Sequence, residues 1–286
     1  HVKYTEGRFL PYFFPDTFYE GNDPTIEANE NWLTARRAIM RKPVDRIGYG
    51  GYLSLAYKFP KFVSYIEEVA DEFRDIYAIV KDTKPYVGLK VGILNAWGAL
   101  RTWQTHMVAH ALHYKQIYSY LGILEALSGA AVDVVFLSFD QVIADGVPAD
   151  VDVLINAGDA GTAFSGGQHW ARPELLSAIR RFVYQGGGLV GVGEPSAYLQ
   201  NGRFFQLAEI LGVDKELGFS LSTDKYFTQA QGSHFITADL VTGQVPDFGE
   251  SMHNLYALSE ETEILEYSNG EVHMAAHDYG QGRGVY

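Results

Sequence analysis

The chain contains no cysteine, which excludes disulfides, thiolate metal sites and cysteine nucleophiles together and suits a reducing compartment. Basic charge is also scarce: 22 Lys and Arg stand against 35 Asp and Glu, for a formal net charge of -13. Such a surface repels a phosphodiester backbone and no basic run offsets it, so nucleic acid is not an expected partner. No apolar stretch approaches the roughly 20 residues of a membrane span, and His1 to Arg8 lacks the build of a signal peptide. A soluble, cytoplasmic protein is the expectation. Internal repeats and low-complexity tracts are missing as well.

What is present is 286 residues with 47% hydrophobic content, enough for one full core and by length for two domains. The chain opens on His1 without an initiator Met and closes on Gly284-Val285-Tyr286, which reads as a strand. A fragment is expected, with part of any active site outside it. Residues 1–87 read as two strand-to-helix units. An extended run from Arg8 to Asp16 precedes a helix opened by Asn22, Asp23 and Pro24 and continuing to Met40. A second run at Asp45-Arg46-Ile47-Gly48 leads past Pro60 to an amphipathic helix with Phe62, Ile66, Val69 and Phe73 at three- and four-residue spacing. Two such units cannot close a sheet, but they suit the last repeats of a (β/α)8 barrel.

Pro85 breaks the pattern, and residues 88–286 change period. Apolar runs at Lys90 to Asn95, Val132 to Leu137, Val151 to Asn156 and Gly188 to Val192 predict parallel strands buried on both faces. Helical stripes at Gln116 to Leu127 and Arg172 to Tyr184 have the length of crossovers, and a further helix is expected from Phe204 to Leu211. This predicts a doubly wound α/β domain with the layout of a glutamine amidotransferase.

Several motifs carry chemistry, each with a plainer reading. Gly186-Gly187-Gly188 follows a helix and precedes a strand, the reverse of a phosphate loop, so a helix cap and tight turn is preferred. After the strand ending at Val192, Gly193-Glu194-Pro195-Ser196 occupies the place of a nucleophile elbow. Glu194 stands where a thiol belongs and has no base beside it, so a structural role is preferred; Ser196 is discounted. His106, His110 and His113 could share a helical face, but no carboxylate joins them, and a polar loop or interface outweighs a metal site. His234, His253, His273 and His277 read as structural. Tyr12, Phe13 and Phe14, between Arg8 and Asp16 at the expected carboxyl end of a barrel strand, have the composition of a sugar site: ring faces for a pyranose, charged groups for its hydroxyls. A core strand with a solvated tip is the alternative. Gly48, Tyr49, Gly50 and Gly51 follow the next strand, near Arg46, where backbone N–H groups could bind phosphate; a flexible turn explains them equally well.

Arg8-Phe9-Leu10-Pro11-Tyr12-Phe13-Phe14-Pro15-Asp16, the Arg46 to Tyr52 loop and Val91-Gly92-Ile93-Leu94-Asn95-Ala96-Trp97-Gly98 together resemble the galacto-N-biose/lacto-N-biose phosphorylases, along the whole chain. The resemblance implies the end of a (β/α)8 catalytic barrel followed by an amidotransferase-like central domain. It implies cleavage of a β-1,3-galactosyl-N-acetylhexosamine by inorganic phosphate as co-substrate, with inversion to α-galactose 1-phosphate and no other cofactor or metal. The general acid would lie on an earlier barrel strand outside this chain, so no catalytic residue is assigned. Arg8, Tyr12 and Phe14 would line the sugar site, Asp16 would extend it, and Gly48 to Gly51 would face phosphate or galactose. The central domain also resembles the trimerisation domain of β-galactosidases, and Trp97, Arg101 and Trp103 would reach over the barrel mouth as a rim. A homodimer is what the family suggests. Two other classes remain: a retaining β-galactosidase, which needs paired carboxylates about 5 Å apart and no phosphate, and a non-catalytic oligomerisation module.

Overall fold

The computed structural model describes residues 4–9, 17–49, 53–84, 86–96, 115–217, 233–240, 253–268 and 271–286. The chain divides into two compact units, residues 1–86 with 126–130, and residues 87–125 with 131–286.

In the first unit, strand β1 (Glu6–Phe9) runs parallel to β2 (Arg46–Tyr49). The strand expected from Arg8 begins earlier, at Glu6, because Thr5 and Asp45 staple the two entrances: Thr5 N donates to Asp45 Oδ2 at 2.8 Å and Asp45 N to the Thr5 carbonyl at 3.1 Å. Between the strands lies α1 (Pro24–Arg41), whose start is fixed by Pro24 and by the Asp23 carboxylate accepting Thr25 N–H at 3.0 Å. After β2 come a single turn, α2 (Leu53–Ala56), and the long α3 (Pro60–Val80). Helices α1 and α3 bury Ala28, Trp32, Ile39, Phe62 and Val69 in one cluster, onto which Phe18 packs edge-on to Phe59 and Phe62. Across this seam Glu72 accepts hydrogen bonds from Trp32 Nε1 at 2.6 Å and Arg36 Nη1 at 2.7 Å. Burial alone would raise the Glu72 pKa; these two donors outweigh it and hold the carboxyl below its ordinary value.

The second unit is built on β3 (Lys90–Asn95), α4 (Lys115–Leu127), β4 (Asp133–Ser138), α5 (Phe139–Asp145), β5 (Val153–Gly158), α6 (Pro173–Tyr184) and β6 (Gly188–Gly193). Strands β4, β3, β5 and β6 lie side by side and parallel in that order. The order reverses direction between β3 and β5, and right-handed crossovers then put α4 and α5 on opposite faces. The centre of the sheet is continuously buried in β3 and β5; β4, at the edge, leaves Phe136 39% exposed. Helix α5 starts in a capping box between Ser138 and Gln141, and α6 starts on Pro173. At the end of α6, Gly186 and Gly187 return N–H groups to Val183 and Phe182, which is a cap and not a phosphate cradle.

Beyond β6 the chain makes the hairpin β7 (Ala197–Gln200) and β8 (Arg203–Phe205), the turn α7 (Ala208–Leu211), and β9 (Val213–Lys215) paired with β10 (Leu255–Ala257). The helix expected from Phe204 is therefore reduced to one turn. Its first residues are held extended by buried Asp214, whose Oδ1 accepts Phe205 N–H at 2.8 Å. An antiparallel run, β11 (Glu263–Ser268), β12 (Glu271–Tyr279) and β13 (Gly282–Val285), completes the sheet by laying β13 parallel against β6. The core gathers α5, α6 and α7 through Phe139, Val142, Leu175, Ile179, Val183, Ile210 and Leu211, around fully buried Trp170. No helix among the described residues is long and apolar enough to cross a membrane.

Candidate functional site

The pairing of β1 with β2 sets Arg8 opposite Gly48 and Phe9 opposite Tyr49. Both strands run the same way, so the two sequence motifs leave the sheet from adjacent carboxyl ends. In barrel enzymes the chemistry sits at that end. Of the sugar-site set, Arg8 is described as backbone only, and Tyr12, Phe14 and Asp16 lie outside the described residues. Gly48 and the Tyr49 backbone belong to β2, whereas Gly50, Gly51 and the rim set Trp97, Arg101 and Trp103 also lie outside them, as do His106, His110 and His113. Among the described residues, no group of His, Asp or Glu could hold a metal ion.

A second polar centre occupies the carboxyl end of the sheet in the other unit. Gly193 ends β6 with a φ of +76°, and a Cβ there would lie 3.3 Å from both the Gly158 carbonyl and Ser119 Oγ. Glu194 follows, 9% exposed. Its Oε1 pairs with Lys215 Nζ at 2.5 Å, its Oε2 accepts Ala160 N–H at 2.7 Å, and its backbone carbonyl accepts the Ser165 hydroxyl at 2.6 Å. The Lys215 ammonium also lies 5.3 Å from the centroid of the Phe204 ring. The Glu194 carboxylate is thus committed on both oxygens and is not poised to attack anything.

Ser196 carries the strained backbone of this turn, with a φ of 52°. Its N–H donates to Asn156 Oδ1 at 2.7 Å and its hydroxyl accepts Leu207 N–H at 3.1 Å, so it too is spent on structure. Asn156 donates from Nδ2 to the carbonyls of Phe164 and Ser165, binding the loop after β5 to the elbow. Beside the pair, burial raises the Asp159 pKa, the Glu194 charge raises it further, and Lys215 partly opposes them. Tyr286 donates to the Gly193 carbonyl at 2.9 Å; burial and then Glu194 push its phenol upward. Neither Glu194 nor Ser196 is left as a base or a nucleophile at this end. The geometry ties loops together.

A family model described as the lacto-N-biose phosphorylase N-terminal TIM barrel domain matches residues 1–88, and one described as the lacto-N-biose phosphorylase central domain matches residues 90–286. The chain belongs to the lacto-N-biose phosphorylase family. A 1,3-beta-galactosyl-N-acetylhexosamine phosphorylase of Lachnoclostridium phytofermentans is 58% identical over all 286 residues, which cover 39% of that protein. One from Bifidobacterium longum is 51% identical, with the whole chain aligned to 42% of its length. A D-galactosyl-beta-1->4-L-rhamnose phosphorylase of Lachnoclostridium phytofermentans is 38% identical, again over the whole chain and 39% of that protein. The chain therefore spans about two fifths of the length of these curated relatives.

For this lacto-N-biose phosphorylase family member, the two strand-helix units belong to a TIM barrel domain and the mixed sheet to the central domain. Sequence reasoning singled out Glu194 but missed what it binds. Lys215 and Tyr286 are 21 and 93 positions from their partners in the elbow, and no local pattern announces such contacts. The one available signal was negative: a buried acidic residue after an apolar strand requires a cation somewhere.

Proposed function

We propose that the chain serves as the barrel end and central domain of an enzyme that cleaves β-1,3-galactosyl-N-acetylhexosamine with inorganic phosphate. The observation that carries this is the 58% identity, along the whole chain, to a protein of that name. In this reading phosphate attacks the anomeric carbon with inversion, giving α-galactose 1-phosphate and N-acetylhexosamine. Phosphate is the nucleophile, so no second carboxylate is needed to activate water. The general acid is supplied from a part of the barrel outside this chain, and no cofactor or metal takes part.

The adjacent carboxyl ends of β1 and β2 support a shared site for the two motifs. Tyr12 and Phe14 would present ring faces to the sugar, Arg8 and Asp16 would hydrogen-bond its hydroxyls, and residues 48–51 would bind phosphate or galactose through backbone N–H groups. The central domain, in this reading amidotransferase-like, supports the barrel, with Trp97, Arg101 and Trp103 at the rim. A cytoplasmic homodimer is the expected form.

The 38% identity to a galactosyl-β-1,4-rhamnose phosphorylase supports a second reading in which only the acceptor differs. The test is release of galactose 1-phosphate from lacto-N-biose by the full-length parent, with and without phosphate, and the product anomer read by NMR. Phosphate-dependent α-product is expected. Free galactose released without phosphate would make it a hydrolase of the β-galactosidase type. Turnover of galactosyl-β-1,4-rhamnose in place of lacto-N-biose would select the second reading, and no turnover of any of these would leave a non-catalytic module.

A further inference from the structure

We infer that the cleft at the carboxyl end of the central sheet is a non-catalytic binding site for one ring of a neutral hexopyranose sugar. The cleft has a volume of about 500 Å³ and runs over the reversal point of the sheet, from Ala96 after β3 across residues 160–169 to residues 197–204. Open α/β sheets bind ligands in that crevice, and the volume falls in the range of small-molecule sites, roughly 300–1,000 Å³. This site belongs to the second unit and stands on its own lining.

The lining selects the ligand by elimination. Among its thirteen described lining residues there is no Asp, Glu, Lys or Arg. Lys215, whose ammonium lies 5.3 Å from the centroid of the Phe204 ring, is neutralised by Glu194, and the lining is tied to that pair through Ala160 N–H. An amino acid, a nucleotide or a sugar phosphate would bring a negative charge with no partner, at the cost of desolvating it. What remains is a neutral molecule with an apolar face and a polar edge. Tyr198 and Phe204 supply aromatic surface, while Gln168, His169 and the glycine peptides at 161 and 167 supply hydrogen-bonding groups; the Thr162 hydroxyl and the Gly166 peptide are already paired within the loop. His169 Nδ1–H is already donated to the Gly166 carbonyl at 2.9 Å, and Nε2, 3.7 Å from Asp140 Oδ1 and so beyond hydrogen-bond distance of that carboxylate, is left to accept from a hydroxyl. Alternating C–H faces and equatorial hydroxyls of a pyranose satisfy both kinds of group at once. With Glu194 neutralised and Ser196 spent on structure, the cleft can hold a ligand and do nothing to it.

The test is amide hydrogen exchange on the full-length parent with galactose or N-acetylglucosamine added, comparing wild type with Phe204→Ala and Gln168→Trp. Phe204→Ala removes the aromatic wall; Gln168, which is exposed, can become Trp and block the mouth without entering the core. Slowed exchange in peptides covering residues 159–169 with at least one sugar is expected, with the apparent affinity falling at least tenfold in both variants, or in Gln168→Trp should the other fail to fold. Protection around β1 and β2 should be the same in all three proteins. Absence of protection at 159–169 with both sugars, or protection unaltered by Gln168→Trp, would overturn the inference. Loss of the phosphorolysis reading would show differently, as absent turnover and unprotected β1 and β2 peptides.

Discussion

Replacing Lys215 by Met leaves the Glu194 carboxylate buried with the Ala160 N–H as its one donor and Asp159 beside it. The two side chains of the pair are 22% and 11% exposed and meet at 2.5 Å. Removing one partner of a buried pair costs about 3–5 kcal/mol, and because water reaches part of Lys215 the lower end, about 3 kcal/mol, applies. Glu194→Gln is the milder change: an oxygen remains for Ala160 N–H, and the ammonium left behind lies nearer the surface, so about 1–2 kcal/mol is expected. The Ala160 amide reports the event directly, since it donates to Glu194 at 2.7 Å. At about 1.4 kcal/mol per tenfold, Lys215→Met should speed its exchange by roughly 150-fold and Glu194→Gln by roughly 5- to 30-fold. The double variant should fall well short of the product, because the second change removes a charge the first has stranded. Equal exchange in Lys215→Met and wild type, or a larger effect from Glu194→Gln, would refute the assignment of Lys215 as the counter-ion.

Four further outcomes are expected. Glu72, held below its ordinary pKa by Arg36 and Trp32, stabilises the α1–α3 seam above the unfolded glutamate pKa, and that contribution is lost as pH falls through the lower folded value; Glu72→Gln should flatten the acid limb of stability measured by denaturant titration against pH. Asp159 has the opposite sign: its raised pKa favours the folded state at low pH and the contribution disappears as pH rises through the folded value, so Asp159→Asn should gain stability over wild type at neutral pH and not at pH 3. Gly166→Ala would place a methyl 2.6 Å from Phe139 Cζ and 2.7 Å from Trp170 Nε1 at a φ of +111°; overpacking and backbone strain together predict a loss of about 2–5 kcal/mol, read as a lower melting temperature. In the whole enzyme, Trp97→Ala should depress phosphorolysis with folding intact, and unchanged kinetics would remove Trp97 from the rim.

The parts of the fold legible in the sequence are those decided by near neighbours. Asp23-Pro24 starts α1 and Pro173 starts α6 because capping and a preset φ act over one turn. The runs at residues 90–95 and 153–158 declare parallel strands because both faces are covered. Where distant residues decide, reading along the chain misses. Phe204 and Phe205 look helical until buried Asp214 claims the Phe205 N–H. The strand containing Arg8 starts at Glu6 because Asp45, 40 positions away, anchors Thr5. The run from Arg8 to Asp16 stands out in the sequence because its aromatic and charged residues are contiguous; the Glu194 network does not, since its partners come from the loop after β5 and from β9.

The seating of β13 against β6 has a consequence for how the chain is made. Gly193 meets Tyr286 from 93 positions away, and β6 gains no partner on that side until residues 283–285 arrive. At synthesis rates of roughly 5–20 residues per second, the apolar edge of β6 waits about 5–20 s after leaving the ribosome before it is covered. During that interval Leu189, Val190 and Val192 form an open template for pairing with another nascent chain. Slower translation through residues 200–280 should therefore lower the soluble yield of this protein more than the same delay placed after Tyr286.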